Sequence, residues 1–168
     1  GMDHFALPHD SLQRAMEFGT LHRNFMGYTP YYSRLSIALG ASSISDSWDA
    51  YVQNEKGIEA YRERVDRGEL PIIRGHLLSG EDQVLRKHIL NIMCRMETHW
   101  AKSEHQCAAL FEGLERMEEL EMDGLVQRHP YRLEVTGKGR TFIRNICMAL
   151  DARYWRNQPE GRLFSQVV

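Results

Sequence analysis

Thiols, imidazoles and a serine-rich loop are the groups in this sequence that could ligate a metal or attack an electrophile, and their spacing decides whether they do. The three cysteines, Cys94, Cys107 and Cys147, are odd in number, far apart and free of any C-x-x-C pair. That argues against a disulfide framework and a structural zinc site, and it fits a reducing cytoplasm. Each thiol reads as a small buried residue. Among the eight histidines, the nearest approaches to a ligand pair are His4 with His9 and His105 beside Cys107, and neither has the i, i+4 spacing of a helical metal site. Ser42, Ser43 and Ser45 lie in a small-residue loop, Gly40 to Ser45, with no nucleophile elbow around them. No Walker-type phosphate loop occurs either, and "GKGR" at Gly137 to Arg140 reads as the cap of a closing helix. No catalytic residue and no metal ligand is recognisable. What the loop offers instead is access, because short side chains let a ligand or another backbone approach main-chain N–H groups.

The chain that must position these groups reads as mainly α with a small β-hairpin. Leu12, Ala15, Met16 and Phe18 behind Asp10 and Ser11 predict a short amphipathic helix over 10–19, stopped by Gly19. The next stretch, "HRNFMGYTP" from His22 to Pro30, crowds aromatic, basic and apolar side chains together without helical or strand period, so no regular packed element is expected there. Leu35, Ile37 and Leu39 alternate like one buried strand. A connection through Trp48 leads to a helix from about Asn54 to Arg67, ended by Gly68 and Pro71. Ser79 and Asp82 form a capping box ahead of an apolar stripe, Leu85, Ile89, Ile92, Met93, Met96 and Trp100. Ser103 and Gln106 suggest a second box opening a helix to about Glu121, stopped by Gly124. A hairpin turning at His129 and Pro130 and a closing helix with Phe142, Ile146 and Leu150 complete a winged-helix-like unit over about 80–156.

Charge tests what such a unit could bind. The formal net charge is −2, so no global positive field draws the chain to nucleic acid or anionic lipid, and no apolar run is long enough for a membrane helix. The helix before the wing carries Glu112, Glu115, Glu118, Glu119, Glu121 and Asp123 against Arg116 alone, which repels phosphate. From Leu125 onward arginine is in excess: Arg128, Arg132, Arg140, Arg144, Arg153, Arg156 and Arg162. That excess suits a solvated face, a carboxylate-rich ligand or acidic partner, or, against the acidic helix, nucleic acid.

Several strings, in order and in spacing, carry a resemblance. "MDHFALP", "LHRNFMGYT", "ASSIS", "YVQNEKGIEAYRERVDRGELPIIRGHLLS", "EMDGLV", "VTGKGRTFIRNICMALD" and the terminal "FSQVV" resemble the C-terminal portion of the oxygen-independent coproporphyrinogen III oxidases, a family of radical S-adenosylmethionine enzymes. The resemblance implies a place in haem biosynthesis, the oxidative decarboxylation of two propionates of coproporphyrinogen III to vinyl groups. It also implies an organisation: residues 1–46 as a remnant of the end of the catalytic barrel, and 47–168 as the helical C-terminal domain. In the family, the segments resembling "RNFMGYT" and "ASSIS" help to hold a second S-adenosylmethionine. Carried over, Phe25 and Ile44 would wall that pocket, Gly27 would let the chain pass close to the ligand, and Met26 would stand where the family commonly has glutamine.

The family grips its iron–sulfur cluster with a C-x-x-x-C-x-x-C motif that Cys94, Cys107 and Cys147 do not reproduce. The resemblance therefore implies a chain that is not catalytic alone and whose partner is a radical S-adenosylmethionine barrel domain, in cis or in trans. Two other readings compete: a free-standing relative that binds tetrapyrrole or S-adenosylmethionine, and a winged-helix nucleic-acid-binding regulator. A strand taken out of a barrel leaves an open edge, so a homodimer or a rearranged N-terminal segment is expected.

Overall fold

The computed structural model describes residues 5–157; His4, Arg162 and the string "FSQVV" lie outside the described residues. Helix α1 (Ser11–Glu17) starts on the Asp10 carboxylate, which accepts from the Leu12 N–H at 2.8 Å, and ends at Gly19 with φ +68°. It agrees with its sequence pattern. The stretch from His22 does not: β1 (His22–Asn24) and β2 (Gly27–Thr29) form a tight antiparallel hairpin with Phe25 and Met26 at its tip. The strands are too short to show alternation, and the turn is fixed by side-chain chemistry: the Asn24 carboxamide oxygen accepts the Met26 N–H at 2.9 Å. Gly27 follows with φ +131°, where a Cβ would be strained.

A four-stranded antiparallel sheet comes next, in the order β3 (Leu35–Ser36), β4 (Ile44–Ser47), β5 (Ala50–Asn54), β6 (Ile72–Leu77). The mainly α expectation is corrected here, for the segment read as a connection through Trp48 is a strand pair, with α2 (Ile58–Asp66) starting only after Gly57. Serines and an aspartate on β4 hid the strand pattern. The buried strand expected from Leu35, Ile37 and Leu39 is also corrected: only Leu35 lies in a strand, and the three are 57%, 73% and 84% exposed. They stand at an uncovered sheet edge.

The helical half is built on α3 (Gly80–Arg95), opened by the full Ser79–Asp82 capping box. It stops at Met96 with φ +62°, earlier than the stripe predicted, and the chain turns into β7 (Glu97–His99), so Trp100 lies beyond a strand. The second capping box is absent: Ser103 belongs to a 3-10 turn, the Gln106 amide donates to the Trp100 carbonyl, and α4 (Ala108–Arg116) begins without a side-chain cap. The predicted helix to Glu121 breaks at Met117 into α4 and α5 (Glu118–Met122). Strands β8 (Val126–His129) and β9 (Arg132–Val135) form the hairpin as read, and β7 adds a third strand beside β9. The closing helix divides into α6 (Ile143–Ala149) and α7 (Ala152–Arg156).

The core sits in this half: Ile92, Leu110, Met117, Leu133, Ile146 and Leu150 are fully buried between α3, α4, α6 and the three-stranded sheet. Burying six large side chains of this kind contributes on the order of 10 kcal/mol before chain entropy is subtracted. His88 is buried among them. Its Nε2–H donates to the His105 carbonyl at 2.8 Å, and Nδ1 accepts from the Thr98 hydroxyl at 2.7 Å, which fixes the neutral tautomer. Burial pushes its pKa below the usual 6.5, outweighing the hydrogen bond to the His105 carbonyl, which raises it; the charges of His105 and Lys87 act in the same direction as burial. Stability from His88 is therefore present above about pH 6.5 and is lost as pH falls toward the depressed folded value. The melting temperature should fall more steeply between pH 7 and pH 5 for the wild type than for His88→Asn, as read by circular dichroism.

Candidate functional site

A cleft of about 630 Å³ opens where the β1–β2 hairpin, the sheet β4–β5–β6, α3 and α7 meet. Its construction follows from strand register. Tyr51 on β5 pairs with Asp46 on one side and His76 on the other, which brings all three side chains to one face of the sheet. The Phe25 ring meets Tyr51 edge-on, at 4.9 Å between centroids and 86° between planes. Apolar residues of α3, Leu85, Ile89 and Met93, make the opposite wall.

Two ion pairs fasten the walls together. Arg86 on α3 donates to both Asp46 oxygens at 2.8 and 3.0 Å and to the carbonyls of Ser47 and Trp48, while its guanidinium lies 4.9 Å from the centroid of each of the Trp48 and Tyr51 rings. Both charged side chains are only 11% exposed. At the start of α3, Asp82 accepts from Arg153 on α7 at 2.9 Å through each oxygen, and from the Ser79 N–H and hydroxyl. The Arg153 guanidinium bound to it, with the Ser79 donors, holds the Asp82 carboxyl well below the ordinary carboxylate range. The buried Nε2 of His76 lies 3.6 Å from Asp82, too long for a hydrogen bond.

Of the residues singled out from sequence, Phe25 lines this cleft. Ile44 precedes Asp46 by two on β4, hence on the same strand face, half-buried. Met26 points elsewhere: it is 93% exposed at the hairpin tip. Gly27 is buried. In the Gly40–Ser45 loop it is another part of the backbone that approaches: the Ser42 N–H donates to the Glu55 carbonyl, and the Gly40 N–H to the Tyr61 hydroxyl. Asn54 closes the same loop through the carbonyls of Ala38 and Gly40. Asp46, Tyr51, His76 and Arg86 were not legible in sequence; they come together across strand register and about one quarter of the chain, and only the capping box marked Asp82.

Burial governs the thiols. It pushes Cys94 up to about 11 and Cys147 up to about 12, and raises Cys107 as well. Cys94 and Cys147 are buried in α3 and α6, and Cys107 is half-buried before α4. No group of three metal-binding side chains is found among the described residues. A thiol-reactive disulfide at neutral pH should titrate one cysteine, Cys107, in the native chain and three after unfolding.

Among the described residues, several of the arginines from Leu125 onward are paired within the fold. Arg128 pairs with Glu121 at 2.7 Å, Arg132 with Glu97 and Glu134 at 2.9 Å, and Arg156 with Glu81. At these positions each guanidinium already faces an acid of a neighbouring element, which counts against both the carboxylate-rich-ligand and the nucleic-acid alternatives there. Among the described residues no helix is long and apolar enough to cross a membrane.

Compared with known proteins, the chain is similar along its whole length to oxygen-independent coproporphyrinogen III oxidases. It is 38% identical over 173 residues to those of Salmonella typhimurium and Escherichia coli K12, covering 100% of this chain and 38% of each relative. The Synechocystis enzyme is 37% identical over 177 residues. The solved structure of coproporphyrinogen III oxidase from Escherichia coli, described as a radical SAM enzyme, matches with a TM-score of 0.83 at 37% identity, over 91% of this chain and 36% of that one. No protein-family model matches. The resemblance read from the ordered strings thus holds, and the chain spans 38% of the length of these curated relatives.

Proposed function

We propose that this chain is the C-terminal portion of an oxygen-independent coproporphyrinogen III oxidase of haem biosynthesis, acting in the reducing cytoplasm with a radical S-adenosylmethionine barrel domain supplied in cis or in trans. The observation that carries the reading is end-to-end similarity to enzymes of which the chain covers only 38%. The reaction is the oxidative decarboxylation of two propionates of coproporphyrinogen III. When present, the iron–sulfur cluster would supply the radical chemistry, and its ligands come from the partner domain because Cys94, Cys107 and Cys147 do not reproduce the C-x-x-x-C-x-x-C motif. The segment up to about residue 46 corresponds to the end of the barrel and runs on through β4 into the sheet β3–β6, whose β3 edge, with Leu35, Ile37 and Leu39 exposed beside it, is open to a neighbour. In the isolated chain a second copy or a rearranged N-terminal segment would cover that edge.

Within the whole enzyme, Phe25 and Ile44 form apolar walls for a second S-adenosylmethionine, with Tyr51 backing Phe25. Met26, exposed at the tip, lacks the paired donor and acceptor of a glutamine. Residues 80–156 act as a winged-helix-like unit, supported by the order α3, β7, α4, α5, β8, β9 with β7 beside β9. Its role is to back the cleft rather than to read DNA, since the acids of α4 and α5 are retained and Arg128 is spent on Glu121.

The test joins this chain to the N-terminal portion of the Escherichia coli relative and reconstitutes both the chimaera and the 168-residue chain anaerobically with iron and sulfide. Expected results are iron uptake and decarboxylation of coproporphyrinogen III by the chimaera, and neither by the short chain. Turnover by the short chain, or a folded, iron-loaded chimaera without turnover, overturns the proposal.

A further inference from the structure

Resting on that reading of the cleft, we propose that Arg23 is its carboxylate-binding subsite, taking a carboxylate borne by a ligand whose apolar body lies against Phe25, Tyr51 and Met93. Arg23 sits on β1, half-buried, and lines the cleft. Its guanidinium lies 4.8 Å from the centroid of the Tyr28 ring on the paired strand and is hydrogen-bonded to the Tyr28 side chain.

The case rests on how the cleft's charges are distributed. Arg86 and Arg153 each already grip a carboxylate through two bonds, Asp46 and Asp82 respectively. The third cleft carboxylate, Asp151, is turned to the start of α7, where it accepts the Tyr154 N–H at 2.9 Å. Arg23 is left, among the described residues, as a cleft guanidinium with no carboxylate paired to it. A half-desolvated cation beside an apolar wall gains most from a bidentate anion that brings its own apolar body, because the charge-assisted bonds then form away from bulk water. A propionate of a tetrapyrrole and the amino-acid carboxylate of S-adenosylmethionine share that chemistry.

Calorimetric titration of the wild type, Arg23→Gln and Arg23→Lys decides the matter. The probes are coproporphyrin III and its tetramethyl ester, and S-adenosylmethionine and its decarboxylated form. In one of the two pairs, the acid should bind the wild type, weaken at least about tenfold in Arg23→Gln and lose less in Arg23→Lys. The ester or decarboxylated member of that pair should be indifferent to the substitution. The pair that behaves so identifies the source of the carboxylate. Unchanged circular dichroism of Arg23→Lys guards against misfolding. Equal affinity of Arg23→Gln for the acid, an equal loss for the blocked ligand, or no binding of either acid to the wild type overturns the inference. The enzyme reading is decided separately, by turnover of the chimaera with Arg23 in place.

Discussion

Replacing Arg86 by methionine is expected to lower the unfolding free energy by about 3–5 kcal/mol, a fall in melting temperature on the order of 10 °C for a chain of this size. The magnitude follows from what is left behind. Asp46, whose side chain is 11% exposed, would keep its charge and lose both guanidinium bonds, and the carbonyls of Ser47 and Trp48 would lose their donor. The two aromatic rings would lose the cation between them. Methionine keeps most of the aliphatic volume, so the effect reads charge and hydrogen bonding rather than a cavity.

A double variant separates the pair from its surroundings. Arg86→Met with Asp46→Leu removes both charges and should recover part of the single-variant loss, because the strongest penalty is the unpaired carboxylate. Thermal melts of both single variants and the double variant measure the coupling. A melting temperature for Arg86→Met within about 2 °C of the wild type would show that the sheet and the helices are joined some other way. The cleft depends on this joint: Arg86 is the residue of α3 that grips the β4–β5 turn, and Tyr51 on β5 carries the contact to Phe25.

What the sequence revealed of this arrangement follows physical range. Capping and turn signals act within a few residues, so Asp10, Ser79 with Asp82, Gly68 and the β8–β9 hairpin could be read directly. The sheet β3–β6 was missed because its strands are short, polar on β4 and open to solvent at the edge, which erases the alternation that a covered face would impose. Phe25 and Ile44 were reachable only through resemblance. Arg86 and Asp46, 40 residues apart, carry no local pattern, and neither does the uncompensated position of Arg23.

The string "GKGR" shows the same boundary, and it yields the second large effect. Both glycines look alike in sequence, yet a Cβ on Gly139 would lie 1.9 Å from the Leu125 carbonyl oxygen and 3.0 Å from Val135 Cγ1, whereas one on Gly137 would meet nothing within 4 Å. The turn is pinned there by Thr136, whose hydroxyl accepts the Gly139 N–H at 3.0 Å and donates to the Gly124 carbonyl at 2.8 Å. Neither partner can retreat, since Leu125 contributes backbone at the entry to β8 and Val135 ends β9. Gly139→Ala should therefore cost about 3 kcal/mol or more, at or above the upper end of ordinary overpacking. Gly137→Ala should stay within about 1 kcal/mol of the wild type. Urea unfolding of the two variants checks the contrast. Equal midpoints would mean that the wing and the closing helices do not meet at Gly139, and that the support they give to α7 and Arg153 arises elsewhere.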